Sequence, residues 1–396
     1  MATDLPVDLD TWCAGKSPDD LRNAHRRHHD ALHRGYTQAR HLSDYAGLQG
    51  AVDDTPFGGV LLVPPGHHIF GSVKINRAIT LRGVYGATEN AAAWNSSGWA
   101  REWFRRDRGC VLVSEATSGA AIDATVPMQG VNLEHIVVRG AAPTNADVTG
   151  VAVGAPGSYA GLLRWYDATV CNFKTGVRLT ETFEGVFYSL SLVGCDTGLH
   201  MVDSNALVFS NMRIMKVRQG VQIDRGYSNV WFGGTVQGVS DTGFTINNAH
   251  ENALTGVYFE NPEGVNAAVI NGNRNEMVMC HLGTQGDRVY LGGSGNHVYV
   301  GNATNGQITI AGSQNIVDNA QDYRVTIDPA AWWPMARGVR NIGHATTIAP
   351  HIFRFGGQRR GGLALEDGDL FLKDDNGNWW RVRVATDGTL TTSAIT

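Results

Sequence analysis

Apolar and polar positions alternate through the middle of this chain in short runs that return at a nearly constant interval. Four runs begin Gly176-Val177-Arg178-Leu179, Gly198-Leu199-His200-Met201, Gly220-Val221-Gln222-Ile223 and Gly243-Phe244-Thr245-Ile246, with glycine steps of 22, 22 and 23 residues. Weaker copies follow at Ala267-Ala268-Val269-Ile270, Arg288-Val289-Tyr290-Leu291 and Gln307-Ile308-Thr309-Ile310, and an earlier one stands at Gly150-Val151-Ala152-Val153. Within each of the four main runs the apolar residues sit two positions apart, the period of a strand that buries one face.

Other columns keep the same register. Val177, Leu199, Val221 and Phe244 form one, and Leu179, Met201, Ile223 and Ile246 the next. A second strand carries Val170, Leu192, Ile214 and Val236, while Trp165, Phe187, Phe209 and Phe232 line up as an aromatic ladder. Like residues stacked over like, about 4.8 Å apart, are what a parallel β-helix requires. An antiparallel sandwich with even strand spacing is the alternative, and it predicts no in-register columns across four repeats. The expected fold is all-β, a right-handed parallel β-helix, the hand following from the general rule for parallel crossovers.

The solenoid is expected over residues 51–320. It opens near Gly58 with Gly58-Gly59-Val60-Leu61-Leu62-Val63-Pro64-Pro65-Gly66 and continues at Ile79-Thr80-Leu81-Arg82-Gly83. Residues 84–112 interrupt the pattern, which resumes near Ala120 and fades near Asn319, giving roughly twelve laps and a rod about 55–60 Å long. Residues 1–50 carry Leu21, Ala24, His28 and Leu32 at helical spacing and are expected to form an N-terminal helical cap or adaptor, because a terminal lap exposes apolar core and strand edges. Residues 321–396 form a β-rich C-terminal module, with a hairpin joining Asp369-Leu370-Phe371-Leu372-Lys373 to Trp379-Trp380-Arg381-Val382-Arg383-Val384.

Composition narrows the function classes. Glycine supplies 49 of 396 residues against 12 prolines, without a Gly-X-Y period, which points to tight turns rather than collagen. A net charge of −5 argues against a nucleic-acid-coating protein. No run approaches the roughly 18 apolar residues of a membrane span. The five cysteines are widely spaced and lack a CxxC, so neither a disulfide framework nor a cysteine zinc site is expected. The first residues have no basic or apolar leader character, so no signal peptide is expected.

The segment Ala51-Val52-Asp53-Asp54 through Val63-Pro64-Pro65-Gly66, followed by Ile79-Thr80-Leu81-Arg82-Gly83, resembles the opening of pectate-lyase-like right-handed β-helix proteins. The resemblance spans about residues 45–320. That superfamily includes lyases, hydrolases, epimerases and phage tail proteins, so fold alone does not select among them. The absent leader, together with the hairpin from Gly368-Asp369-Leu370 to Trp379-Trp380-Arg381, is most like bacteriophage tailspike or minor tail proteins. The resemblance implies a homotrimer in the phage tail, assembled in the host cytoplasm with other tail proteins, whose partner is a bacterial surface polysaccharide. A free-standing polysaccharide lyase, glycoside hydrolase or transferase of the same fold is the second reading, and a purely structural virion component the third.

Candidate chemistry is sparse. Polygalacturonase-like members carry Asn-Thr-Asp, Asp-Asp, Gly-His-Gly and Arg-Ile-Lys motifs; here Asp53-Asp54 and Asp374-Asp375 fall outside the central laps, and Arg213-Ile214-Met215 stands in place of the last. No clustered calcium-type aspartates accompany an arginine base, so no family catalytic residue carries over and no cofactor or metal is expected. A glycosidase needs two carboxyl groups about 5–10 Å apart. Glu181 and Asp203, one lap apart, and Asp224, Glu251 and Glu260 in later laps are the catalytic candidates, though solvated turn residues would look the same. Trp231 and Tyr258 are candidates to stack on a sugar. Trp94, Trp99 and Trp103 with Arg105 are candidates to grip a glycan, the alternative being a packed loop. His25, His29 and His33 share a helical face, but crowding arginines favour a solvated surface over a metal site. Lys174, Asp196, Arg218 and Asp241 alternate in sign down one column as a structural charge ladder. Cys171, Val193 and Met215 fall one residue out of phase with inward Val170, Leu192 and Ile214, and this outward apolar column is expected to form an interface between copies.

Overall fold

A computed structural model describes residues 39–84, 109–126, 128–141, 145–261, 265–283, 288–302, 307–312 and 315–318, with the strands Arg324–Ile327, Ala336–Arg340, Asp369–Lys373, Trp379–Val384 and Leu390–Ile395. The chain winds as a parallel β-solenoid of about ten laps, somewhat fewer than the repeat pattern suggests. One lap runs through Arg164–Tyr166, Thr169–Cys171, Phe173–Thr180 and Thr182–Phe183 before Val186–Tyr188 opens the next.

The lap closes through corners, not loops. Asp167, Asn172, Glu181 and Glu184 have φ of 48°, 62°, 48° and 52°, the left-handed region that most side chains avoid. Each corner N–H is donated to a carbonyl one lap on, to Tyr188, Val193, Val202 and Asn205 in turn. The corners therefore stack as well. Ser189, Asn211, Gly233 and Gly256 continue the Asp167 column, and Asp203, Arg225 and Asn248 continue the Glu181 column.

Two flat walls result. The first sheet holds the three-residue strands, including the run Arg164–Tyr166, Val186–Tyr188, Val208–Ser210 and Val230–Phe232. The second holds the long strands Phe173–Thr180, Thr197–Asn205, Gln219–Tyr227 and Thr242–His250, paired in parallel. Val177, Leu199, Val221 and Phe244 are register partners, as are Leu179, Met201, Ile223 and Ile246, and all eight are buried. The expected columns are thus the core.

The aromatic ladder needs one correction. Trp165 meets Phe187 edge-on and Phe187 stacks on Phe209, but the fourth ring is Trp231, whose centroid lies 4.9 Å from that of Phe209 with the planes 5° apart. Phe232 instead pairs with Ser210 and is 49% exposed. The extra residue of the 23-residue lap enters after Gln237, still 22 residues past Met215, and before Thr242, 23 past Gln219, so the shift assumed for the ladder comes too early.

A second interior ladder is polar. Asn229, Asn252, Asn275, Asn296 and Asn315 are buried one per lap. The Oδ1 of Asn252 accepts from the backbone N (3.1 Å) and the Nδ2 (3.0 Å) of Asn229, and Asn275 does the same for Asn252. Asn296 and Asn315 repeat the pattern. These amides satisfy backbone groups at a bend where no strand partner is available.

The ends depart from expectation in detail. Helix α1, Leu48–Asp54, occupies part of the segment read as the solenoid opening, and it buries Leu48, Ala51 and Val52 against the first lap. The helical spacing at Leu21 to Leu32, with His25, His29 and His33, lies outside the described residues. Cys110–Ser114 already stacks between Gly66–Phe70 and Val137–Gly140, so the laps resume before Ala120. They also run past residue 320, because Arg324–Ile327 pairs with Gln307–Ile310 and Ala336–Arg340 with Asn315–Asp318. Beyond them, Asp369–Lys373, Trp379–Val384 and Leu390–Ile395 form a separate antiparallel three-stranded sheet, which includes the expected hairpin.

The expected interface column is not a free face. Cys171, Val193 and Met215 are 1%, 2% and 1% exposed and pack together with Val137 in a cluster separate from the core. They point away from the core yet are sealed within the single chain. Burial pushes the thiols of Cys195 and Cys280 up to about 12 and that of Cys171 higher still. The four described cysteines are free thiols.

The charge ladder holds as ion pairs over three of its four members, Arg218 meeting Asp196 at 2.8 Å and Asp241 at 2.6 Å, whereas Lys174 makes its ion pair with Asp147 at 3.8 Å, outside the ladder. The Arg218 guanidinium holds the Asp196 carboxyl below the usual carboxylate range, chiefly by hydrogen bonding, against an opposing effect of burial, with its charge adding a smaller contribution. A depressed folded value contributes stability above the unfolded value and loses it as pH falls through the folded one. Arg218→Ala is therefore expected to lower stability at pH 7 by less than about 1 kcal/mol, because the groups are solvated, and to cost progressively less as pH falls below about 4. Urea unfolding at pH 7 and pH 3 checks this; an equal loss at both would show that the arginine acts through packing.

Candidate functional site

The stacking decides where each candidate carboxylate points. Glu181 and Asp203 share a corner column, since Thr180 and Val202 are register partners. Glu181 Oε2 accepts the Gly157 N–H at 3.0 Å, while Asp203 Oδ2 meets Arg225 Nη2 at 2.8 Å on the following lap. The two carboxylates are thus engaged in different directions. Glu251 is a corner residue of another column and is held by Arg274 at 2.7 Å. Glu260 ends a first-sheet strand and accepts from Gln237 at 2.9 Å. Three of the five candidates are therefore corner residues, placed by the bend rather than by a shared cleft.

Asp224 is different. It lies on the outer face of the second sheet, in register with Val202 and Asn247. Its Oδ2 accepts from His200 Nε2 at 2.9 Å and Gln222 Nε2 at 2.6 Å, and its Oδ1 from Asn247 Nδ2 at 3.0 Å. Asn271 Nδ2 extends the chain to Asn247 Oδ1 at 3.2 Å. His200 is the register neighbour of Gln222 on one side and of Arg178 on the other. Four successive laps therefore carry one connected polar strip along the rod axis.

The strip exists because strand positions alternate. Val177 and Leu179 face inward, so Arg178 faces outward, and the same holds for His200, Gln222 and Thr245. These residues stand at the polar third position of the repeat, and that alternation was the signal that would have found them; reading carboxylate pairs alone missed them. Asp224 saturates with donors and is suited to orienting His200, not to attacking a substrate. Planar amide, imidazole and guanidinium groups spaced one lap apart are suited to hydrogen bonding the hydroxyls of an extended, repeating ligand.

The outer face of the first sheet is the chemical opposite. Val186, Val208 and Val230 form one outward column and Tyr166, Tyr188, Ser210 and Phe232 the next. Tyr166, Val186, Tyr188 and Phe232 are between 41% and 50% exposed, and the two tyrosine rings stack at 4.9 Å.

The aromatic candidates divide. Trp231 is 1% exposed and belongs to the core stack, so it cannot meet a sugar. Its burial follows from the same register that corrects the ladder. Tyr258 is partly exposed and stacks on His281 at 4.9 Å, on the first sheet. Trp94, Trp99, Trp103 and Arg105 lie outside the described residues. Among the described residues no group of three His, Cys, Asp or Glu is placed to hold a metal ion, and no helix is long and apolar enough to cross a membrane.

No protein-family model and no curated protein matches the sequence. Solved structures do match the fold. Tailspike protein 2 from Escherichia coli O157:H7 bacteriophage CAB120 superposes with a TM-score of 0.56 at 12% identity, over 73% of this chain and 46% of that one. The chain thus spans less than half the length of that tailspike. DFA-IIIase from Arthrobacter chlorophenolicus A6 in complex with GF2 superposes with a TM-score of 0.55 at 13% identity, over 78% of this chain and 92% of that one. A mutant form of that enzyme in complex with DFA-III gives 0.52 at 14% identity, over 74% and 86%. At these identities the likeness establishes a tailspike-like parallel β-helix fold.

Proposed function

We propose that this chain is a bacteriophage tail protein of the tailspike type, a homotrimer that binds a bacterial surface polysaccharide along its second sheet. The outward row from Arg178 through His200, Gln222, Asp224 and Asn247 carries the reading, because it is an axial row of hydrogen-bonding groups on the sheet wall. The fold shared with tailspike protein 2 supports it. In this reading residues 1–50 attach the chain to other tail proteins, the solenoid engages the glycan, and the C-terminal sheet closes the far end. The protein acts in the virion tail.

Adhesion without cleavage fits the carboxylates better than hydrolysis. A glycosidase needs one carboxyl able to stay protonated and a second free to act beside it. Asp203 and Glu251 are each ion-paired, and Asp224 is saturated with donors. Incubating the purified chain with host envelope polysaccharides tests both points. The expected result is retention on the glycan with no new reducing ends and no unsaturated uronates. Product formation would replace adhesion by the enzyme reading, and an absence of retention across a broad glycan panel would leave a structural virion role.

The copies are proposed to meet through the outer face of the first sheet, where Tyr166, Val186, Tyr188 and Phe232 expose apolar surface over four laps. The native mass is expected at three times 42.7 kDa. Val186→Glu combined with Tyr188→Glu is expected to shift that mass to one chain while leaving the circular dichroism unchanged. A trimer that survives the double substitution would place the contact elsewhere.

A further inference from the structure

The polar strip carries an imbalance that bears on which glycan it takes. Asp224, its one carboxylate, has both oxygens occupied by His200, Gln222 and Asn247. Arg178, at the other end, is exposed and has no ion-pair or hydrogen-bond partner among the described residues. Its register neighbours are His200 on one lap and Ala152 on the other, so neither side offers it a counter-charge. The next residue in that column, Asp123, spends its Oδ1 on Thr125.

Several other cations near this wall are committed. Arg218 is shared by Asp196 and Asp241, Arg225 is bound to Asp203, and Lys174 lies beside Asp147. What remains unmatched on the strip is a single guanidinium with five N–H donors and a fixed positive charge, standing over a small residue that leaves room beside it.

We infer that the strip selects an acidic glycan, with the anionic group of one sugar held by Arg178 and the hydroxyls of the following sugars held by Gln222, Asn247 and their neighbours. Resting on the glycan-binding reading above, this adds the charge class of the ligand. A guanidinium meets a carboxylate or a phosphate through paired N–H···O bonds, and such charge-assisted bonds are about twice as strong as neutral ones. A neutral polysaccharide would leave Arg178 without a partner and gain nothing from it.

The test uses the full chain on immobilised bacterial polysaccharides in three groups: neutral, carboxylated and phosphorylated. Binding is expected in the acidic groups, to weaken as salt rises, and to fall at least about tenfold in Arg178→Ala. Arg178→Lys is expected to recover part of that loss. Because Arg178 is exposed, both variants should keep the parent melting temperature. Chemical reduction of the carboxyl groups of a bound polymer separates the two anions, since it abolishes binding through carboxylates and leaves binding through phosphates intact. Retention of neutral polysaccharides alone, or undiminished acidic binding by Arg178→Ala, would overturn the charge assignment while the glycan reading stands. No retention of any polysaccharide would remove the glycan reading itself.

Discussion

Gly220→Ala is expected to cost about 3 kcal/mol of stability or more, through a single added methyl group. Gly176, Gly198, Gly220 and Gly243 stack at the start of successive second-sheet strands. A Cβ at Gly176 would stand 2.7 Å from the Gly198 carbonyl oxygen, and one at Gly198 would stand 2.6 Å from that of Gly220. At Gly220 the added carbon would collide with the carbonyl oxygen of Gly243 and crowd its carbonyl carbon. The obstacle is backbone of the next lap, which cannot rotate away as a side chain does. Overpacking a tight core ordinarily costs about 1–3 kcal/mol, and a clash with fixed backbone belongs at or beyond the upper end. Gly256→Asn is the matched control. Gly256 has φ +66° and nothing within 4 Å of a Cβ, and its column already holds Asp167, Ser189 and Asn211 at the same bend. It should melt within a few degrees of the parent. If Gly220→Ala yields soluble protein that unfolds within about 1 kcal/mol of the parent, the glycine column is not what sets the lap spacing.

Asn252→Ala should cost about 3 kcal/mol, and for the opposite reason, through loss rather than crowding. The substitution removes the acceptor of two Asn229 bonds and the donor to Asn275 and to the His250 carbonyl. The Nδ2 of Asn229 keeps the Ser204 carbonyl at 2.8 Å, but its buried backbone N–H is left alone. Each lost bond is worth about 1 kcal/mol, and an orphaned buried donor adds about 1–3 kcal/mol. Asn271→Ala, which removes one exposed amide bond of similar length, should cost under about 0.5 kcal/mol. Urea midpoints of the two variants measure the difference. Equal losses would mean that water reaches the ladder and that its burial does not govern its strength.

The solenoid itself was legible because its signal is periodic and local. Strand alternation separates Val177 from Arg178, and repetition every 22 or 23 residues aligns Val177 with Leu199 and Val221 without any knowledge of contacts. The asparagine ladder was visible in principle, because Asn229, Asn252, Asn275 and Asn296 recur at lap intervals. A polar residue between strands is normally taken for a solvated turn, and that habit hid it. Trp231 was misplaced for a different reason. A one-residue insertion does not announce which side of a strand it falls on, and an error of one position exchanges a core ring for a surface ring.

The candidate site followed the same division. Periodicity in the chain already decided the parallel laps, the inward columns and the sign-alternating ladder of Arg218, since each depends only on spacing along one strand path. Three-dimensional packing alone decided which outward residues are open. It buried Cys171, Val193 and Met215, exposed Tyr188 and Phe232, turned Glu181 and Asp203 apart, and joined His200 to Asp224 across two adjacent laps. Spacing specifies the direction in which a side chain leaves the strand. What it then meets depends on neighbours a lap away, whose own side chains choose among competing hydrogen bonds and ion pairs.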